Sequence, residues 1–405
     1  MPAKITMRSA AENRARLRAA GLALPLVAFV GVTFVAPLVS MLVRSVYDPV
    51  VADALPETIA LLDDWDGMNV PEEAVFEAAA RELLVAQEER TIGQIAGRVN
   101  RVQGGLRSVL VVSARRLRDA SGSVGRDSMV DINPAWEEVE TWHALRTAGE
   151  RYTTRHYLAA VDLTRLPDGS VVRQAPDRRI YVPLFVRTLM VSLGVTLLCL
   201  ILGYPLAHLI AHSPPRRGGL LLALVLVPFW TSLLVRTTSW IVLLQNQGVV
   251  NDLLVAAGFV ADDARLALIY NMTGTFVAMT HVLLPFMVLP LYSVMHTIPR
   301  SHMSAAASLG ARPGQAFWRV YWPQSLPGVG AGSLLVFILA IGYYITPALV
   351  GGSTGQLISN MVAYHMQTSL NWGLASALGG IILVCVSILY ILYDRVTGGG
   401  RLGVT

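Results

Sequence analysis

The stretch PRSHMSAAASLGARPGQAFWRVYWPQSLPG, residues 299–328, is short, charged and rich in small side chains, and it lies between two long apolar runs. Its residue types suit docking rather than bond chemistry. Ser301 is placed to cap a helix, and Gly310 fits the position just past that helix's end. Between them Ser304, Ala305, Ala306, Ala307 and Ser308 carry almost no bulk, which lets a helix lie close in a groove of another protein. Pro313 suits the first turn of a second helix, with Phe317, Val320 and Tyr321 on one face, and Pro323 is expected to end it. The expectation is two short helices at about a right angle. With Ser301 as the cap, position 304 is the third helical residue, where Glu would close a capping box. Ser304 forfeits that bond and a charge near the positive helix end. No Gly-x-x-x-x-Gly-Lys-Ser/Thr loop occurs in the chain, so no ATP site is expected here. His208, His212, His281, His296 and His365 have no metal-ligand spacing, and neither a metal site nor a catalytic residue is assigned.

The elements that hold this stretch are membrane helices. Mean hydropathy is +0.52 and only 15% of residues are charged, against about 25% in soluble domains. Crossing a bilayer takes roughly 20 apolar helical residues. Residues 19–43 and 188–215 carry no charge, and none stands between Val320 and Tyr393, where Gly351-Gly352 supplies a turn. Helices are expected near 20–43, 186–211, 219–244, 273–295, 329–350 and 374–393. The fold class is therefore an all-α polytopic membrane protein. The first run is too long for the apolar region of a signal peptide and lacks a small-residue cleavage site, so it is expected to remain as an anchor. Cys199 and Cys385 both fall mid-span and are expected as buried free thiols. Gly330, Gly332, Gly379 and Gly380 are expected to let helices approach closely.

Arginine placement sets the orientation, because short positive loops stay cytoplasmic. With both termini inside, the cytoplasmic pieces hold Lys4, Arg8, Arg216, Arg217, Arg300, Arg312, Arg319 and Arg395 among others, while the short outer loops hold only Arg265. Residues 45–180 differ in kind. They contain 22 acidic and 16 basic residues, a net of −6, while the rest of the chain has 16 basic and 5 acidic residues, a net of +11. The basic total thus reflects topology rather than nucleic-acid binding. This insert is expected outside and mainly helical. Pro71-Glu72-Glu73 opens one helix, a second is expected over 88–118 before the turn-rich SGSVGRDS, Tyr157–Val161 continues toward the next span, and Pro167-Asp168-Gly169 reads as a turn. It is either a docking surface or a solvated decoration. The divisions are 1–44, 45–180, 181–394 with the loop 296–327, and the tail 395–405.

Arg236 is the sole charge inside a span, and such charges face protein or a cavity. It either lines a route for a carboxylate or phosphonate or makes a structural ion pair at the outer edge. Trp230, Phe229, Tyr343 and Tyr344 are the aromatics that could face a cation. Candidate pathway residues are Trp230, Arg236, Tyr343 and Tyr344.

Ser304-Ala305-Ala306, Gly310, Val320 and Pro323 also resemble, residue for residue in spacing, the loop by which permease subunits of ABC importers engage their ATPase. That pattern is Glu-Ala-Ala, three residues, Gly, nine residues, Ile, one residue, Leu-Pro; Ser304 stands in place of Glu, and Trp322-Pro323 in place of Leu-Pro. LGYPLAHLIA at 202–211, PFWTSLLVRTTSW at 228–240, NDLL at 251–254 and GYYITPALVGG at 342–352 resemble the spermidine/putrescine-type branch of that family. WDG at 65–67 and RYTTRHYLAAVDL at 151–163 resemble a longer subgroup. The resemblance implies the type I importer permease fold, with six transmembrane helices and an extracytoplasmic insert between the first two. It implies a bacterial inner-membrane location and partners: a second permease, giving a heterodimer, a dimer of ATPase subunits, and an extracytoplasmic solute-binding protein. ATP and Mg would be used by the ATPase subunits, with no cofactor on this chain. It implies an ATPase-coupling set of Ser301, Ser304, Ala305, Ala306, Gly310, Arg312, Phe317, Val320 and Pro323. Ser304 then means either weaker coupling or a helix held by its partner. A polyamine is the implied cargo, with an anionic solute as the alternative because no acid lies mid-membrane. A membrane sensor with residues 45–180 as receptor is the alternative class.

Overall fold

The computed structural model describes residues 21–119, 125–166 and 169–397. The segments 1–20, 120–124, 167–168 and 398–405 lie outside it, and with them the expected turn at Pro167-Asp168, the first half of SGSVGRDS and the basic N-terminal residues. Contacts divide the chain into two units. One holds the residues up to Leu158 and 163–172, the other 159–162 and the residues from Arg173 on.

In the first unit, the span Gly21–Arg44 has no buried residue in its most apolar window. Pro37 has no N–H, and the helix widens into a π turn over Gly31–Val35 just before it. The remainder is a small helical body. Its helices include Pro56–Asp63, Glu73–Glu88, Ile92–Val102, Leu106–Asp119 and Val139–Gly149. Phe76, Leu83, Ile95, Leu110, Trp136 and Trp142 form its core, all fully buried. Both indole N–H groups are satisfied there: Trp136 Nε1 donates to Ser113 Oγ at 2.8 Å and Trp142 Nε1 to Trp136 O at 3.0 Å. The helix expected over 88–118 is in fact two. Gln103-Gly104-Gly105 breaks it, Gly105 is left-handed at φ 97°, and Asn100 Oδ1 accepts from the N–H groups of Gly105 and Arg107. WDG is a turn: Gly67 has φ 75°, and its carbonyl meets His143 Nε2 at 2.9 Å.

In the second unit, Tyr181–His212, Met272–Thr297 and Pro313–Gly342 pack together. Their shared core includes Val195, Cys199, Met287, Val288, Leu291 and Val336. Gly332 allows the close approach expected of it, because a Cβ there would meet Met287 Sδ at 2.8 Å. Gly379 does not, since a Cβ there would meet nothing within 4 Å. Cys385 is exposed on its helix, contrary to the expected burial; Cys199 is buried. The last long helix, Trp372–Thr397, packs beside Ile358–Gln367.

Two expected spans are corrected. The helix expected over 219–244 is a pair, Pro215–Trp230 and Leu233–Ala256, bent by 98°. Ser232 causes the restart: it is extended, and its Oγ accepts from Val235 N–H at 3.1 Å. The helix expected over 329–350 starts far earlier and stops at Gly342, followed by the short helix Ile345–Val350. Among the described residues, five helices are long and apolar enough to cross a membrane, or six when the bent pair counts as one.

The second span begins at Tyr181 because Asp162 supplies its cap from outside the helix. Its carboxylate accepts from the N–H groups of Ile180, Tyr181 and Val182 at 3.1, 3.0 and 2.8 Å. Asp162 is buried and left-handed at φ 57°, a conformation that Asp and Asn tolerate best after Gly. Asp162→Ala should lower the stability of the solubilised chain by about 0.5–2 kcal/mol, and Asp162→Asn by less. Thermal unfolding with hydrogen exchange at residues 180–184 checks this; equal losses in both variants would remove the cap from the account.

His156 in the first unit gives a pH prediction. Burial is the main cause that pushes it down from 6.5 to about 4, aided by Arg155. The unfolded chain therefore binds the proton first as pH falls. The contribution is complete above pH 6.5 and is lost between pH 6.5 and 4, on the order of 3 kcal/mol. Denaturation of the chain across that window should show the decline, and His156→Gln should flatten it.

Candidate functional site

The loop between Met272–Thr297 and the fifth span carries the site. Its first helix is Arg300–Ser308, and none of its residues is buried. Ser301 is not the cap. The capping position is Pro299, and no side chain caps the helix. Position 304 therefore lies beyond the first turn, and the capping-box argument fails for it. Ser304 Oγ instead leans back toward Arg300 O at 3.4 Å, and Ser308 Oγ donates to Ser304 O at 3.0 Å.

The end of this helix matches the expectation. Gly310 has φ 86°. Its N–H donates to Ala307 O at 2.9 Å, and Ala311 N–H to Ala306 O at 3.0 Å. That pair of bonds closes the last turn and needs a left-handed residue at 310. Leu309, at the tip, is 89% exposed. Arg312 N–H donates to Gln315 Oε1 at 3.2 Å, and Pro313 opens the next helix.

Pro323 does not end that helix. The chain runs on as one helix from Pro313 to Gly342. A π turn over Phe317–Tyr321 precedes the proline, and Trp322 N–H bonds to Phe317 O, five residues back. Pro323 then stands in the first turn of the following α segment, where its missing N–H costs little. So the loop is one exposed helix, with His302 Nδ1 2.7 Å from Gln324 Oε1, followed by the foot of a span, rather than two short helices.

That foot is held by rings. Tyr321 is buried and stacks on Phe317 at 5.7 Å between centroids. It meets His208 at 5.1 Å and His212 at 5.5 Å. Trp322 meets Tyr204 at 5.1 Å, and Tyr204 OH bonds to Ser325 Oγ at 2.9 Å. Arg300 Nη2 donates to His212 O at 3.3 Å. Tyr204, His208 and His212 recur every four residues, one face of the second span. The sequence carried that signal in LGYPLAHLIA and the His212 that follows it, but without the fold nothing told which face met the loop. Of the coupling set, Phe317 and Val320 are half-buried, while Ser301, Ser304, Ala305, Gly310 and Arg312 are exposed.

The pathway residues do not form one group. Trp230 is 77% exposed. Arg236 turns back on the helix break: its Nη2 donates to Pro228 O, and to Thr231 O at 3.0 Å. It thus caps the carbonyl end of Pro215–Trp230. Among the described residues it meets no carboxylate, so the expected ion pair is absent there. It also lines a cleft of about 250 Å³ with Pro228, Thr231, Ser239, Trp240 and His281. Trp240 Nε1 donates to His281 Nδ1 at 3.2 Å. Tyr343 lies within electrostatic reach of Arg236 but does not line the cleft, and neither does Tyr344. Neither Trp240 nor His281 was assigned to the pathway from the sequence: His281 was weighed only as a metal ligand, and Trp240 only as part of the stretch 228–240.

Asn251, from the NDLL stretch, is a structural staple. It is buried, its Oδ1 accepts from Leu266 N–H at 3.0 Å, and its Nδ2 donates to Leu266 O at 3.0 Å. Arg265 binds Asp252 and Asp262, each at 2.7 Å, so both acids are already paired.

Residues 203–398 match the family described as binding-protein-dependent transport system inner membrane component. The spermidine/putrescine transport system permease protein PotB of Haemophilus influenzae is 34% identical over 217 residues, covering 53% of this chain and 75% of that protein. The protein of the same description from Escherichia coli is 32% identical over 216 residues, covering 53% of this chain and 78% of that protein. A crystal structure of a bacterial alginate ABC transporter, in complex with an alginate pentasaccharide-bound periplasmic protein, is similar over 54% of this chain and 78% of that chain, with 15% identity and a TM-score of 0.44.

Because position 304 is past the first turn, Ser304→Glu should change the stability of the chain by less than about 0.5 kcal/mol, as for an ordinary surface site. A gain of 1 kcal/mol or more in thermal unfolding would restore the capping role to that position.

Proposed function

This chain belongs to the family of binding-protein-dependent transport system inner membrane components, the permease subunits of ABC importers, and from that premise we propose how it works. It forms half of a translocation path with a second permease. A dimer of ATPase subunits hydrolyses ATP with Mg and drives the helix Arg300–Ser308 from the cytoplasmic side, where both termini also lie. An extracytoplasmic binding protein delivers the solute. The chain itself is a transport subunit rather than a catalytic one.

One observation carries the coupling role. A helix with no buried residue is stopped by a left-handed glycine and followed at once by a foot fixed through Phe317 and Tyr321. The exposed helix offers small side chains to a groove, and the fixed foot passes displacement to the spans. Ser301, Ser304, Ala305 and Ala306 are the docking part, with Gly310 and Arg312 as the corner and Phe317, Val320 and Pro323 as the transmitting part.

The cargo reading is a polyamine such as spermidine or putrescine, and its support is the description of the two relatives. A second reading is an anionic solute such as a carboxylate or phosphonate. It is favoured by Arg236, a cation with no carboxylate partner among the described residues that lines a cleft beside His281. The sensor reading draws no support from either relative.

In membranes holding all subunits, Ala305→Trp and Gly310→Pro should each abolish binding-protein-dependent spermidine uptake while the chain still inserts. Tryptophan cannot enter a groove shaped for alanine, and proline cannot adopt φ near +86°. Wild-type uptake in either variant would remove the docking role. Uptake blocked by carboxylates or phosphonates, and indifferent to putrescine, would move the cargo to the anionic reading without touching the coupling role.

A further inference from the structure

Four basic side chains of the first unit converge on one carboxylate. Asp48 lies four residues beyond Arg44, the end of the first span. Arg98 Nε reaches both Asp48 oxygens at 3.1 Å. Arg101 follows three residues later on the same helix, Ile92–Val102, and therefore on an adjoining face. Arg155 and His156 come from the helix Arg155–Ala160. All three arginines and Asp48 act electrostatically on His156.

Two nitrogen atoms are stranded within this group. Arg155 Nη1 and His156 Nε2 are both buried and, among the described residues, have no hydrogen-bond partner. His156 as a whole is only 4% exposed. Buried donors are almost always paired, and a buried cation is costly without a partner. Among the described residues, two acids act on Arg155, Asp48 and Glu150. Asp48 is shared among the group, and Glu150 acts on Arg155 from an exposed position. Burial also pushes Arg101 and Arg155 below the usual guanidinium range.

We propose that this cluster is a binding site for a phosphate oxyanion, held by Arg155 Nη1 and His156 Nε2 with Arg98 and Arg101 beside them. The guanidinium fork matches phosphate oxygens. A phosphate presents its oxygens as a compact tetrahedron, so it can accept from donors that approach along different directions. A carboxylate presents two in one plane. The neutral imidazole donates through Nε2–H, and the oxyanion gives Arg155 Nη1 the acceptor it lacks among the described residues. Asp48 limits the affinity because it competes for the same arginines. The place of Asp48, just past the first span, allows two sources of this chemistry: the phosphate of a lipid headgroup and phosphate free in solution.

The test uses the full chain. In maltoside detergent without phospholipid, inorganic phosphate is titrated against potassium chloride at equal ionic strength, and thermal unfolding is read with hydrogen exchange in the helix Arg155–Ala160. Phosphate should raise the midpoint saturably and slow exchange in that helix, while chloride does neither. The titration is repeated in nanodiscs of phosphatidylglycerol and of a phosphate-free galactolipid. A lipid source is indicated when phosphatidylglycerol alone gives the shift and added phosphate adds nothing. A free source is indicated when added phosphate gives the same shift in both discs. Either result supports the site. Arg155→Gln should abolish the shift, and Asp48→Asn should lower the phosphate concentration for half the shift several-fold. A wild-type chain that responds to neither phosphate nor phosphatidylglycerol overturns the proposal, as does a shift that Arg155→Gln retains. If Arg155→Gln does not fold, calorimetric titration decides. No binding to the wild type, or equal affinity in Asp48→Asn, also overturns it.

Discussion

Inside a bilayer no water is available to a backbone carbonyl or N–H, so every interruption of a helix must be repaired by the protein itself. This chain interrupts its helices repeatedly, and its polar residues are spent on the repairs. Arg236 turns back onto the carbonyls of Pro228 and Thr231 where the third hydrophobic segment bends. Asp162 closes the open N–H groups at Tyr181. Thr188 Oγ1 accepts from Ile358 N–H, and Ser359 Oγ donates to Ile341 O, where short helices meet long ones. Asn251 fastens the segment after the bend. The bent pair, the re-entry after Gly342 and the long second span all depend on these few side chains.

The same constraint explains what could be read from the sequence. Long apolar runs must be helices, so 20–43, 273–295 and 374–393 were legible to within a few residues. The bend at Thr231-Ser232 was not, because hydropathy is continuous across it; only the capping residue Ser232 and the lone Arg236 hinted at a break. Ser301 misled for the opposite reason. It has the right chemistry for a cap, but Pro299 already takes the capping position two residues earlier. Gly310 was legible because a left-handed helix end leaves little choice of residue. Pro323 was read as a stop because proline usually is one. A wide turn ahead of it removes the conflict, and nothing in residue composition announces that turn.

The loop between the fourth and fifth spans combines two opposite surfaces within about twenty residues. Arg300–Ser308 buries no residue and is tied to the rest of its unit through Arg300, Met303 and His302, whose Nδ1 lies 2.7 Å from Gln324 Oε1. Phe317 to Ser325 is fixed by rings and hydrogen bonds to one face of the second span. An importer subunit needs both: a part left bare for another protein and a part already committed to its own. Tyr204, His208 and His212 supply the second requirement, the first two from one of the stretches that resemble the polyamine-transporter branch and the third just beyond it.

The wide turn at Phe317–Tyr321 bears on how faithfully motion would cross this joint. A π turn is one surplus residue in a helix, and a surplus that slides along the helix would let the two sides rotate against each other by about 100° per residue step. Such a joint would have play, and an input stroke would be absorbed in it. Pro323 blocks that, because it has no N–H with which to re-form the α bond behind a departing surplus. The stacked rings of Phe317 and Tyr321 oppose travel in the other direction. The joint is therefore latched at one register, and under the coupling proposed here a stroke applied to the helix at 300–308 would reach the span without backlash.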